Sequence, residues 1–220
     1  MAQNNTNSYP SNKDIWDCQG RETFVKAYPM FAALDEDKWD SRVHLSFVKH
    51  SGRDNGATQL DAIEIYVPVV KAGSNGKSGA ATITGQNILS LISLINDGTL
   101  AKMAKASREE AKASGQQYAR DIFNVIGGSP AKVKDGVQIP AKFREFSIAP
   151  ASSGKGYVMK AAECDGQQSS NGGFSPAPGA QKKMIMVQVS ELYMRTFAKD
   201  LEAKWIAYQT AKEVAKLLNK

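Results

Sequence analysis

Residues 142–163 read KFREFSIAPASSGKGYVMKAAE, and residues 182–205 read KKMIMVQVSELYMRTFAKDLEAKW. The first stretch contains two strand-like runs, KFREFSIAP and KGYVMKAAECD, on either side of SSGK, whose serines and glycine suit a tight turn. The second begins as an apolar strand, KKMIMVQV, and passes directly into a helix. Ser190 is placed to cap that helix, and Glu191 falls in the first turn, where the helix dipole favours an acid. Met194, Phe197, Leu201, Trp205 and Tyr208 then form one apolar stripe. Between the last two strands lies GQQSSNGGFSPAPGAQ, which reads as a flexible loop over about 166–180. The end of the chain is therefore three strands followed by a long helix.

Upstream, the same plan appears once more. In RVHLSFVKH (42–50), Val43, Leu45 and Phe47 share one face, while His44 and Ser46 share the other. In DAIEIYVPVVK (61–71), Ile63, Ile65, Val67 and Val69 alternate with Glu64, Tyr66 and Val70. A loop containing Asp54, Asn55 and Gly56 joins the two as an antiparallel hairpin, and Pro68 marks an edge or a strand end. A glycine-serine loop, AGSNGKSGA, follows. Thr84 then caps a helix carrying Ile88, Leu91, Ile92 and Ile95, which Gly98 ends. The run 99–127, TLAKMAKASREEAKASGQQYARDIFNVIG, is rich in helix formers and reads as a second helix weakened at Gly115. GGSPAKVKDGVQIP is then a connector. Residues 21–39 read as an irregular strand and a turn, and residues 1–20 as a polar tail. The expected fold class is α+β: two antiparallel sheet blocks, each followed by a helix, with a helical insert, in a single domain over 21–220.

With 220 residues, 42% hydrophobic and 23% charged, the chain can bury a substantial core and is not expected to be disordered as a whole. No apolar run approaches the roughly 18 residues a spanning helix needs, so no membrane partner is expected. The first residues, MAQNNTNSYPSNKD, lack the apolar core of a signal peptide. Cys18 and Cys164 stand alone, which points away from a disulfide framework and towards a cytoplasmic setting. The net charge of +6 is mild and does not by itself imply a nucleic-acid partner.

Signals for catalysis are weak. GSNGKSG (73–79) ends like a phosphate-binding loop, but Lys71 stands where that motif needs its first glycine, and no parallel sheet is indicated. His44 and His50 are the only histidines and have too few partners for zinc. Asp35, Glu36, Asp37 and Asp40 read as a solvated turn rather than a cation site. Neither an enzyme, a cofactor, a metal nor a small-molecule substrate is expected.

The C-terminal half resembles the Whirly family of single-stranded DNA-binding proteins, within the superfamily of positive transcription cofactor four. The likeness lies in a strand ending in Ser147-Ile148, a turn with Gly154 and Gly156, and a strand begun by Tyr157. It continues in an apolar strand entering a helix through Ser190 and Glu191, with Met194-Arg195-Thr196 in its first turns. YPMFAALD (28–35), the hairpin at 42–70 and ITGQNILSLISLI extend it over most of residues 22–210. RETFVKAY stands where plant members carry a basic strand, and the 99–126 insert is long, so the resemblance is to a distant bacterial or phage member. It implies a homo-oligomer, dimer or tetramer, that binds single-stranded DNA with little sequence preference in replication, recombination or repair. Relatives of this plan also handle RNA, and a purely structural subunit is the remaining alternative.

A single strand offers phosphates and unstacked base faces, so its binding surface needs spaced cations with flat apolar groups between them. Over residues 141–189, Lys142, Arg144, Lys155, Lys160, Lys182 and Lys183 outnumber Glu145, Glu163 and Asp165, with Phe146 and Tyr157 interleaved. Tyr157 and Lys160 fall on opposite faces of a regular strand. The candidate contacts are Lys49, Tyr66, Lys77, Arg144, Lys155, Tyr157, Lys160, Lys182 and Lys183.

Overall fold

Alternating apolar residues resolve into antiparallel sheets whose apolar faces meet in one core. The computed structural model describes residues 14–34, 41–54, 57–70 and 86–218. Lys77, Thr84, the glycine-serine loop and the acidic cluster at 35–40 lie outside the described residues.

The first sheet runs in the order β1 (Trp16–Gln19), β2 (Thr23–Met30), β3 (Arg42–Asp54) and β4 (Ala57–Pro68). Helices α1 (Ile88–Asn96) and α2 (Thr99–Ala113) follow. The second sheet contains β5 (Phe123–Ser129), β8 (Lys142–Pro150), β9 (Tyr157–Gln168), β10 (Phe174–Pro176) and β11 (Lys183–Val189), with β9 pairing β8 on one side and β10 and β11 on the other. β6 (Lys132–Lys134) and β7 (Val137–Ile139) pair only with each other, and α3 (Glu191–Leu218) closes the chain. The fold is α+β, with three helices among the described residues.

The predicted face assignments hold on the central strands. Val43, Leu45, Phe47, Ile63, Ile65 and Val67 are buried, and Phe146, Ile148, Met159, Ala161, Ile185 and Val187 face them from the second sheet in the same cluster. The rings of Phe47 and Phe146 lie 6.1 Å apart across the two sheets, with Phe123 6.2 Å beyond. Full burial of side chains this size stabilises by roughly 1.5–3 kcal/mol each. Pro68 ends the edge strand β4, as its missing amide hydrogen requires. Ser190 Oγ accepts from the Tyr193 amide at 3.2 Å, the capping bond expected of it. Gly156, at φ +72° beside the β11 carbonyl of Val189, leaves no room for a Cβ and turns the chain between β8 and β9.

Several expectations are corrected. The N-terminal tail reading fails for Trp16–Gln19, which form β1. Trp16 is buried, donates its indole N–H to the Tyr193 carbonyl at 3.1 Å and meets Phe197 edge-on, pinning the strand to α3. The irregular strand after residue 21 is a regular one, β2. The cap of α1 is Asn87, whose side chain accepts from the Ser90 amide at 2.9 Å. The second helix stops at Ala113, with Gly115 left-handed, and the rest of the supposed insert contains β5, because Phe123 and Val125 bury at strand spacing. The connector at 127–140 contains the β6–β7 hairpin. The supposed loop at 166–180 carries the end of β9 and all of β10, anchored by the buried ring of Phe174.

Because Phe146 bridges the two sheets, Phe146→Ala is expected to cost about 3–5 kcal/mol in urea unfolding. A loss below about 1 kcal/mol would show that the sheets do not depend on each other.

Candidate nucleic-acid interface

The outer face of the first sheet carries an aromatic row that only strand pairing brings together. Register places Tyr28 beside His44 and His44 beside Tyr66, on β2, β3 and β4. The Tyr28 and His44 rings are 5.4 Å apart and 29° from parallel, and those of His44 and Tyr66 are 4.6 Å apart and within 10° of parallel. Cross-strand neighbours stand at about this spacing, so flat side chains in register stack face to face across the strands. β4 is the edge of the sheet, and among the described residues no ring covers the far side of Tyr66, which is 42% exposed. The stack is thus preformed and open at one end.

Polar contacts hold its middle member. His44 Nε2 lies 2.5 Å from Glu64 Oε2, and the Ser46 hydroxyl donates to Glu64 Oε1 at 3.0 Å. Partial burial pushes the Glu64 carboxyl up. The hydrogen bonds from His44 and Ser46, helped by the charges of His44 and Arg144, outweigh burial and leave the pKa below its ordinary 4.5. Burial, then the Glu64 charge, push the Tyr66 phenol up against the opposing charges of Arg144 and Arg42, so the ring stays neutral at physiological pH. Arg144 is oriented by Glu163, its cross-strand neighbour on β9, which accepts from the guanidinium Nε–H at 2.7 Å.

The predicted residues do not converge as a single track. Tyr66 lies on the edge strand β4, and the charge of Arg144, which is paired with Glu163, acts on its phenol from the second sheet. Lys183 bonds Asp61 at 2.8 Å, and Asp61 is also the cross-strand neighbour of Lys49, so these two lysines flank one carboxylate. Lys160 and Lys182 lie on the opposite face of the second sheet, where Lys160 pairs with Asp121, and Lys182 reaches Glu145 at 3.1 Å and covers the Phe143 ring. Lys155 is exposed on the β8–β9 turn. Tyr157 faces inward at 5% exposure, so it packs in the core and is not free to stack on a base. Lys142 is likewise paired, with Asp165 at 2.8 Å. Two of the neutralising carboxylates, Asp61 and Asp121, come from outside the 141–189 window, which is why the local charge count overstated the free cations.

Sequence reasoning selected Tyr66 but missed Tyr28 and His44. Their only signal is an outward position on adjacent strands, which becomes a row once the register is known. Among the described residues no cluster of three His, Cys, Asp or Glu side chains is arranged to hold a metal, and no helix is long and apolar enough to cross a membrane.

No family model and no curated protein matches the sequence. A solved structure of the plant transcriptional regulator PBF-2, a Whirly protein, resembles the fold at a TM-score of 0.39 and 8% identity. The alignment covers 90% of this chain and 79% of that one. At those values the likeness is a weak one and carries no argument about function.

The lowered Glu64 pKa sets a sign. Its stabilising effect is complete above about 4.5, the ordinary value, and is lost as pH falls through the lowered folded value. The stability gap between wild type and Glu64→Gln should therefore be constant near neutrality and shrink on acidification. Urea titrations at about pH 7, 5 and 3 measure it, and a gap independent of pH would refute the assignment.

Proposed function

We propose that this chain is a non-enzymatic binding protein for single-stranded nucleic acid, with DNA as the principal ligand and little sequence preference. The observation that carries the proposal is the stack of Tyr28, His44 and Tyr66, open at Tyr66 on the sheet edge. A base laid on the exposed face of Tyr66 continues a stack whose other members are already in place, so little ordering entropy is lost on binding. Every base has a flat π-face, which accounts for tolerance of sequence. A guanidinium plane near the stack, such as that of Arg144, can itself stack on a base. Replication, recombination or repair, where single strands are exposed, is the proposed setting. The two buried free thiols suit a reducing cytoplasm.

Assembly into a homo-oligomer forms part of the same proposal. In α3 only Met194, Phe197, Ala198 and Leu201 are buried, all in its first half. The second half exposes Ile206, Val214, Leu217 and Leu218. Ile206, Thr210, Val214 and Leu217 recur at helical spacing, so they share one stripe. A two-fold antiparallel pairing centred on Thr210 sets Ile206 against the partner's Val214, which makes a second copy of this chain the fitting occupant.

Two expected outcomes test the proposal. Tyr66→Ala should weaken binding of a labelled single-stranded oligonucleotide by about 1–3 kcal/mol, or roughly five- to 150-fold, with the fold intact by circular dichroism. Absence of single-strand binding by the wild type in gel-shift and anisotropy measurements would end the reading, and competition between matched DNA and RNA strands ranks the two ligands. Val214→Asp combined with Leu217→Asp should lower the mass seen by light scattering to that of one chain. A wild type already monomeric at high concentration would remove the oligomer.

A further inference from the structure

The hairpin of β6 and β7 stands apart from the packed body. Lys134 pairs with Val137, so the turn is Asp135-Gly136, with φ +52° and +76°. Positive φ at both turn residues matches the right-handed twist of the flanking strands and makes a tight two-residue hairpin. The hairpin continues the ribbon formed by β5 and β8, in which Ser129 pairs with Lys142. Between that pair and the next, Lys132 with Ile139, lie Pro130-Ala131 on one strand and Pro140-Ala141 on the other. A proline on each strand removes a ladder donor at adjacent levels, Pro130 opposite Ala141 and Pro140 opposite Ala131, so the ribbon is interrupted there and its outer part projects as an arm.

Every residue from 130 to 138 is exposed, including Val133 at 71% and Val137 at 65%. Lys132 and Lys134 have no ion pair among the described residues, unlike Lys142, Arg144, Lys160, Lys182 and Lys183 on the body. Two residues apart on one strand, they point from the same face and stand roughly 6.6–6.8 Å apart. Their cross-strand neighbours on that face are Val137 and Ile139. The face therefore presents two unneutralised cations beside two apolar side chains. Successive phosphates and the sugars between them offer the complementary pattern.

We propose that this arm is a second nucleic-acid contact, in which Lys132 and Lys134 grip a phosphodiester backbone and Val137 and Ile139 lie against its sugars. The inference rests on the single-strand reading above, because an arm with two cations extends an interface rather than making one alone. It adds a site on a different sheet from the aromatic stack, and one whose contribution is electrostatic.

The test is equilibrium binding of the full chain to labelled oligothymidylate across a potassium chloride series. Each phosphate neutralised on a single strand contributes about 0.7 to the slope of log K against log salt. Lys132→Ala with Lys134→Ala should therefore flatten the slope by about 1.4, leaving the thermal midpoint unchanged because neither side chain packs in the core. Lys132→Arg with Lys134→Arg should keep the wild-type slope. An alanine variant whose slope equals that of the wild type overturns the arm. If that happens while Tyr66→Ala still weakens binding, only the arm falls. If the wild type binds no single strand, both proposals fall together.

Discussion

The contact between Phe47 and Phe146 is the constraint on which the remaining arrangement depends. Each ring belongs to a strand in which alternate residues point to one face, so fixing the ring fixes the direction of every other side chain on that strand. With Phe47 inward, His44 and Ser46 must point outward. With Phe146 inward, Arg144 lies on the same face two residues earlier, where it pairs with Glu163. On β4, Ile65 and Val67 follow Phe47 into the core, and Tyr66 is turned out at the sheet edge. The outward position of Tyr66 is thus a consequence of core packing, and a one-residue slip of β4 would turn it inward.

Much of this was legible in the sequence where one periodicity dominated. The faces of β3 and β4, the paired strands β8, β9 and β11, and the capped helix after Ser190 all follow from alternation or from a helical stripe. Helix-forming composition misled beyond Gly115, because Gln, Arg and Ala before Phe123 carry no face, and the strand periodicity appears only from Phe123 onward. The hairpin at 132–139 was readable in principle: VKDGVQI places Asp-Gly between alternating apolar residues, a strong local hairpin signal that flanking prolines disguised as a connector. Trp16 was obscured by the polar run before it, since so short a strand gives too small a window for periodicity.

The candidate site was harder to read, and for a different reason. Tyr28, His44 and Tyr66 are separated by 16 and 22 positions, and nothing local relates them. Their adjacency is a property of register, which depends on long-range pairing. Charge suffered from the converse error. Lysines close in sequence looked like a basic track, whereas Asp61 and Asp121 reach two of them from distant segments.

That neutralisation decides how the surface can work. Exposed ion pairs contribute only about 0–1 kcal/mol each, so a phosphate can displace a carboxylate from Lys183 or Lys142 at small cost. The exchange gains little, however, because one anion replaces another. On the proposed reading, net attraction draws on the uncovered face of Tyr66 and on cations that, among the described residues, have no ion pair, Lys155 and the lysines of the arm among them. The first contributes through stacking, which salt scarcely screens, and the second through counterion release, which salt weakens steeply.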